Sequence, residues 1–344
     1  MSYTGYIAAL VPLALLGAGW LTGREWLLSF TYYGTWGTIG LTAAILFLTW
    51  LCTRMVAICQ DRNIASLSAL FIHMAGEKAG PSLHFLYQTL LLLYGGVLLT
   101  QLVLPVVHAT GASPWIIVFL AASLVALLAG SSVRWLTIVA VVSLVLSLGS
   151  LILVFSEQRY IPLPSLTYQM NLQWFWQAIL FSALHFMPMP AILVPLSAVA
   201  GNPETFRRSI WLGGTLTLLL ALLIHLALLA YWHDIHTDRF PLLTVFSLML
   251  AGLDRVVQFF SLLQGICMLA LWLWGQTQSL AIRHEINHWP LVISFILLLV
   301  IFAVPPLLSH SSLLSFVLTV ISYAGTVWLA ACISLCFYQK RRQP

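Results

Sequence analysis

The first hydrophobic segment of the chain is interrupted by Leu16-Gly17-Ala18-Gly19-Trp20-Leu21-Thr22-Gly23-Arg24-Glu25. Apolar residues run from Tyr6 to Leu16 and resume from Trp26 to Phe30, so three glycines and a charged pair fall where a bilayer is driest. Irregular backbone at that depth is tolerated where it is buried in protein or lines a cavity, and a charge there indicates a functional site. The alternative is a close helix crossing that needs small residues, with the charged side chains reaching an interface. We expect a broken helix whose second half directs its free amides at an anionic group.

The composition indicates that this chain lies in a membrane. It has 344 residues, of which 61% are hydrophobic and 7% are charged, and its mean hydropathy is +1.00. A spanning helix takes roughly 20 apolar residues, so the hydrophobic blocks leave room for about ten transmembrane helices. We predict an all-α polytopic membrane protein, with a single transmembrane domain over residues 1–344 and no separate soluble domain.

The net charge of +5 bears on topology. The basic residues are spread among loops, which is not the pattern of a nucleic-acid-binding protein. Membrane proteins keep Lys and Arg on the cytoplasmic side of the bilayer. With the N-terminus inside, ten of the 14 basic residues fall on that side: Arg54, Arg62, Lys78, Arg134, Arg207, Arg208, Arg283, Lys340, Arg341 and Arg342. The sequence therefore predicts that both termini are cytoplasmic.

No metal or cofactor is expected. The five cysteines are interpreted as small hydrophobes of apolar helices: Cys52, Cys59, Cys267, Cys332 and Cys336. His233 and His236 lie close to Asp234 and Asp238, in what we interpret as a solvated loop and not a zinc site. An intramembrane enzyme needs a nucleophile, paired acids or metal ligands that meet at one depth, and no such pattern shares a helix face. We therefore do not expect an enzyme.

A second interruption stands in the first helix of the second half. The helix that opens near Leu172 is interrupted by Ser182-Ala183-Leu184-His185-Phe186-Met187-Pro188-Met189-Pro190. The two prolines kink the helix and free backbone carbonyls. Broken segments in the first helix of each half indicate an inverted repeat with a binding site at the midplane. We expect a 5+5 repeat, over about 5–155 and 172–338, with helices one and six broken; the alternative for His185 is a buried, hydrogen-bonded histidine.

Two other helices carry polar side chains suited to a cavity wall. In the third helix, about 82–107, three residues recur every seven positions and stay near one face: Tyr87, Tyr94 and Gln101. In the eighth, about 253–281, four polar residues form a stripe: Asp254, Gln258, Ser261 and Gln264. In lipid such a stripe turns inward. The alternative for the third helix is an aromatic packing stripe with a hydrogen-bonded glutamine.

A family pattern is carried by three stretches near the start of the chain: Gly17-Ala18-Gly19-Trp20-Leu21-Thr22-Gly23-Arg24-Glu25, then Phe30, then Tyr33-Gly34-Thr35-Trp36-Gly37-Thr38-Ile39-Gly40. They resemble the YkvI-like family of bacterial membrane proteins, whose first helix reads Gly-Ala-Gly-Phe-(Ala/Ser)-(Thr/Ser)-Gly-Arg-Glu. Ile192-Leu193-Val194-Pro195-Leu196 is a weaker likeness, to the segment after the family's sixth-helix break. The family groups predicted amino acid permeases of the amino acid, polyamine and organocation superfamily. The resemblance implies a LeuT-like fold, amino acid transport and the bacterial inner membrane.

The resemblance also bears on the coupling ion. Sodium-coupled relatives place adjacent Ser or Thr residues in helix eight, where this chain has Ser261 and then Gln264-Gly265. Sodium-independent members can carry a lysine in helix five, which has none here. We expect proton coupling or exchange, with His185 and Glu25 as titrating groups, because histidine changes charge near neutral pH and burial raises the pKa of a carboxyl group.

The leading hypothesis is a secondary active transporter of a small zwitterion, such as an amino acid or a related amine. The expected substrate-binding residues are Gly17, Ala18, Gly19, Trp20, Thr22, Gly23, Tyr94, Gln101, His185, Phe186, Ser261 and Gln264. The expected gate or proton-coupling residues are Arg24, Glu25 and His185. The alternative is a non-transporting subunit that keeps the fold and senses a ligand or serves a partner. The expected partners are the substrate and the lipid bilayer, with a membrane partner or a second copy left open, and no nucleic acid.

Overall fold

The computed structural model describes residues 3–16, 22–157, 172–200, 202–249, 252–284, 286–308 and 311–340, and all regular structure in these ranges is helical. The first half forms α1 (Tyr3–Leu16), α2 (Arg24–Ser29), a 3-10 turn (Thr31–Tyr33), α3 (Gly34–Asp61), α4 (Leu67–Thr110), α5 (Pro114–Gly130) and α6 (Val133–Glu157). The second half forms α7 (Gln173–Phe186), α8 (Met189–Val199), α9 (Pro203–Ala230), α10 (Trp232–Ile235), α11 (Pro241–Met249), α12 (Leu253–His284), α13 (His288–Leu308) and α14 (Ser311–Lys340).

These helices have the length and composition of membrane spans. Seven described segments qualify individually, and the bent pair α7 and α8 makes an eighth. Two further apolar helices are shorter, over Ile7–Leu16 and Pro114–Gly130. The features are those of an all-helical polytopic membrane protein, in agreement with the composition, whereas the count of ten spanning helices stays a prediction.

The interruption in the second half is present as a bend. Helix α7 ends at Phe186, α8 begins at Met189, and the two axes differ by 46°. Pro188 and Pro190 lack the amide protons that would continue the helical hydrogen bonds through this point. The sequence prediction of a broken helix around His185 is therefore confirmed.

The first interruption is described on both of its sides. Helix α1 ends at Leu16, and α2 begins at Arg24 after Gly23, whose φ of 69° is left-handed and favours glycine. A Cβ atom on Gly23 would also lie 2.8 Å from the Cβ atom of Leu242. The predicted site residues Gly17, Ala18, Gly19 and Trp20 lie outside the described residues.

Helix α1 and the bend between α7 and α8 lie in the interior of the described structure. All side chains from Ile7 to Leu16 are buried, and α1 packs against α6, α7, α8, α9 and α12. Helices α7 and α8 pack against α3, and they also contact α14 and α12 respectively. Large apolar side chains are exposed on α5, α6, α13 and α14 and also on the first turns of α7, at Phe175 and Trp176, as a lipid-facing surface requires. The side chains that flank the two breaks, by contrast, are buried: Leu16, Trp26, Phe186 and Met189.

We predict that Gly213→Ala destabilises the protein at the crossing of α9 and α1. A Cβ atom on Gly213 would lie 2.5 Å from the Cβ atom of Val11 and 2.8 Å from the Ala8 carbonyl oxygen. Overpacking of this kind costs about 1–3 kcal/mol, which thermal unfolding in detergent would detect as a lower midpoint. The matched control is Gly149→Ala on α6, where a Cβ atom meets no atom within 4 Å. Equal midpoints for the two variants would contradict the packing at this crossing.

Candidate functional site

A contact between a histidine and a carboxylate joins the two interrupted helices. The Nε2 atom of His185, in the last turn of α7, lies 3.1 Å from the Oε1 atom of Glu25, in the first turn of α2. The His185 side chain is 1% exposed and the Glu25 side chain 23% exposed. The imidazole N–H donates to the carboxylate, and the contact becomes a salt bridge when the histidine is protonated. The two residues predicted to titrate are thus in direct contact, a pairing that the sequence analysis did not predict.

Aromatic rings enclose the pair on one side. The Phe181 ring lies one turn before His185 on α7, with the two centroids 4.0 Å apart. Phe181 in turn makes edge contacts with Trp26 at 5.3 Å and with Phe30 at 4.8 Å, and all three rings are buried. Such an apolar wall lowers the local dielectric and strengthens the interaction between the carboxylate and the imidazole. The sequence analysis predicted neither Phe181 nor Trp26 as a site residue, although Phe181 precedes His185 at helical spacing.

Helix α4 contributes two buried tyrosines. Tyr94 is 2% exposed. Tyr87, one heptad earlier, donates its hydroxyl to the Met187 carbonyl inside the bend between α7 and α8. Tyr87 therefore contacts the second interrupted helix, and the role of the stripe as a cavity wall stays a prediction. Gln101, the third member of the stripe, is half-buried.

Arg24 has a partner different from that of its neighbour Glu25. Its Nη1 atom donates to the Asp238 carbonyl at 2.8 Å, in the connection between α10 and α11. Tyr32 donates to the His236 carbonyl of the same connection at 3.1 Å. Thr22 accepts the backbone N–H of Arg24 at 3.2 Å and so supports the start of α2. Arg24 thus links α2 to the connection between α10 and α11, and its role as a gate stays a prediction.

The polar stripe of α12 is buried at Gln258, Ser261 and Gln264, whereas Asp254 at its start is partly exposed. Ser261 is 1% exposed and Gln264 is 2% exposed. The Ser147 hydroxyl of α6 donates to Gln264 Oε1 at 3.2 Å. The described contact of Gln264 therefore leads to α6, while α1 packs against both of these helices. Phe186, the remaining expected wall residue, is fully buried.

A second buried histidine was not predicted from the sequence. His225 of α9 is 0% exposed, and both ring nitrogens meet threonine hydroxyls: Nδ1 lies 3.2 Å from Thr31 Oγ1 and Nε2 lies 2.9 Å from Thr38 Oγ1. These contacts link α9 to the 3-10 turn through Thr31 and to the first turns of α3 through Thr38. The signal was a lone ionisable residue in the middle of an apolar span, the same signal that identified His185.

The described residues include no set of side chains arranged as metal ligands. Among the described residues, no group of three or more His, Cys, Asp or Glu side chains is arranged to hold a metal ion. The five cysteines are free thiols, and four of them are buried. The site is therefore an arrangement of one carboxylate, one imidazole and aromatic rings, which can exchange protons and can attract a cation.

No protein-family model matches this chain, and no curated protein matches it. The resemblance to the YkvI-like family stays a prediction.

We predict that Glu25 and His185 are energetically coupled. A double-mutant cycle of Glu25→Gln and His185→Asn, measured by thermal unfolding, should give a coupling of about 1–3 kcal/mol for a charge-assisted hydrogen bond.

A matched cycle of Glu204→Gln and Arg208→Gln supplies the control, because that pair is more than two thirds exposed. It should give less than about 1 kcal/mol. Additive effects of the Glu25 and His185 substitutions would contradict the contact.

Proposed function

We propose that this protein is a secondary active transporter of a small zwitterion, such as an amino acid or a related amine, and that it is coupled to protons or works by exchange. The observation that carries the proposal is the contact of Glu25 with His185. It places two titratable groups between the ends of two interrupted helices, in a protein with a lipid-facing shell. Ionisable residues inside a membrane are costly, and in transporters they mark substrate and proton sites.

The proposal includes a 5+5 inverted repeat, and the helix contacts support it. Exchange of the two halves pairs α1 with α7, α3 with α9, α4 with α12, α5 with α13 and α6 with α14. Under this exchange, the contact of α1 with α9 becomes that of α7 with α3, and α1 with α6 becomes α7 with α14; all four are present. The same holds for α4 with α13 and α12 with α5, and for α6 with α12 and α14 with α4. A two-fold relation of the halves explains why contacts occur in such matched sets.

The two central crossings also match in detail. Gly213 of α9 lies against the Ala8 carbonyl and Val11 of α1. In the other half, Gly40 of α3 lies against Trp174 and Ala178 of α7. Small residues allow helices to approach closely in lipid, where no hydrophobic force drives them together. Both interrupted helices are thus held by a glycine of the helix that follows in the opposite half.

Glu25 supplies the coupling between substrate and proton in this proposal. An ammonium group bound beside the Glu25 carboxylate would repel a protonated His185, and a neutral His185 would leave the carboxylate free for it. The substrate and the proton therefore compete, and by linkage each lowers the affinity for the other to the same extent. The substrate carboxylate would bind the backbone of Gly17–Gly19, in the interruption that follows the first half-helix in the sequence.

We also propose the bacterial cytoplasmic membrane as the location, with both termini in the cytoplasm. The distribution of basic residues supports this orientation, because ten of the 14 fall on one side. Arg24 and Arg239 then belong to the outer side, where Arg24 fastens α2 to the 231–241 connection.

We predict that a zwitterionic amino acid or an amine raises the thermal unfolding midpoint of the purified protein without sodium. A ligand at 100 times its Kd stabilises the folded state by about 2.7 kcal/mol. Vesicles that contain the protein should then accumulate the same ligand when a pH gradient is imposed, and empty vesicles serve as the control. Binding without uptake would favour the ligand-sensing alternative, and a shift that requires sodium would overturn proton coupling.

We predict that His185→Asn removes the pH dependence of uptake while ligand binding remains. Asparagine keeps a hydrogen-bonding group near Glu25 but does not titrate. The matched control is His233→Asn, because His233 is exposed in the connection after α9. Uptake that still depends on pH in His185→Asn, to the same degree as in His233→Asn, would exclude His185 as the proton site.

A further inference from the structure

A small pocket with both apolar and polar lining residues lies beside the start of α8. Its walls come from α12, α8 and the two ends of a bend in α4 at Gly76, where φ is 78° and ψ is 172°. This bend folds the first turns of α4 back, so that a Cβ atom on Gly80 would lie 2.7 Å from Ile72 Cα. The polar lining residues are Ser66, Ser68, His84, Gln88, Gln276 and Ser279. None of them belongs to the transport site proposed above.

One buried amide in this pocket lacks partners among the described residues. Gln276 is 1% exposed, and neither its Oε1 nor its Nε2 atom has a hydrogen-bond partner there. The Nε2 atom of Gln88 lies 3.1 Å from His84 Nε2, whereas the Oε1 atom of Gln88 is also without a partner. Buried polar atoms are almost always hydrogen-bonded, and an unmade bond in a low-dielectric interior is costly. The two amides therefore indicate a bound ligand.

The position of Gln276 is fixed by its neighbour. A Cβ atom on Gly275 would lie 2.1 Å from the Ala191 carbonyl oxygen of α8, so α12 and α8 are in close contact at this point. Gln276 follows directly and is held at the edge of that contact. Its amide is therefore directed by backbone packing, which is how proteins position a group for a ligand.

The chemistry of the lining selects a neutral ligand. No polar lining residue is an aspartate, glutamate, lysine or arginine. A cation would suit the two amide oxygens but not the Gln276 N–H groups, and an anion would have the opposite conflict. The ligand must donate and accept hydrogen bonds, as water, an alcohol or an amide does. The space open to the centre of a water-sized sphere is about 10 Å³, which matches one water molecule.

We propose that this pocket binds an ordered water molecule that bridges Gln276 and Gln88. The water accepts from Gln276 Nε2 and donates to Gln88 Oε1; in the flipped amide orientation of Gln276, it donates to both oxygens. The bridge connects α12 to α4 next to the start of α8. A water-mediated contact is nearly as favourable as a direct hydrogen bond, and it can re-form after the helices shift. This water bridge does not depend on whether the protein transports a solute.

The test is X-ray radiolytic labelling of the intact protein in detergent, read out by mass spectrometry. Bound water yields hydroxyl radicals in place, which modify adjacent buried side chains. Leu67 lines the pocket and is 2% exposed, while Leu98 on the same helix is 3% exposed and does not line it. We expect Leu67 to be labelled and Leu98 to stay unlabelled. In Gln276→Met, which keeps the side-chain length without the amide, labelling of Leu67 should be lost.

Two results would overturn the proposal. Labelling of Leu67 no higher than that of Leu98 would mean a dry pocket, and unchanged labelling in a folded Gln276→Met would mean that the amide does not hold the water. If Gln276→Met does not elute as a folded protein in gel filtration, Gln88→Met replaces it, with the same loss expected.

Discussion

A carboxylate and an imidazole that meet between two interrupted helices impose the main constraint on this structure. Glu25 and His185 are 160 positions apart, and their atoms approach to 3.1 Å only because the start of α2 lies beside the end of α7. A charge inside a membrane protein is costly unless it is paired and shielded. The central position of both interrupted helices, the aromatic wall of Phe181, Trp26 and Phe30, and the apolar outer helices all serve to shield this pair.

Close helix contacts hold the two interrupted helices in position. In lipid, packing and interhelical hydrogen bonds replace the hydrophobic effect as the source of association. Gly213 and Gly40 admit α1 and α7, and Tyr87 binds the carbonyl of Met187 inside the bend. His225 binds Thr31 of the 3-10 turn and Thr38 of α3, and so links both to α9. The site is therefore supported from α3, α4 and α9.

The two charged residues of α2 have different partners. Arg24 binds a carbonyl of the 231–241 connection, whereas Glu25, the next residue, faces inward to His185. Successive residues of a helix point about 100° apart, so adjacent charges reach different surroundings. The Arg-Glu pair is therefore a candidate site from the sequence alone. Which of the two side chains faces the protein interior could not be predicted from any local pattern.

The sequence by itself determined the membrane environment, the helical class and the bend at the two prolines, because these follow from composition and from local backbone chemistry. It also marked Glu25, His185, Tyr94 and the stripe of Ser261 and Gln264 as residues too polar to face lipid. Only the tertiary structure decided that Glu25 pairs with His185 and that Ser147 pairs with Gln264. It also decided that Phe181, His225 and Gln276 are buried in the interior. Those pairings join helices far apart in the chain, and no local periodicity encodes which inward faces meet.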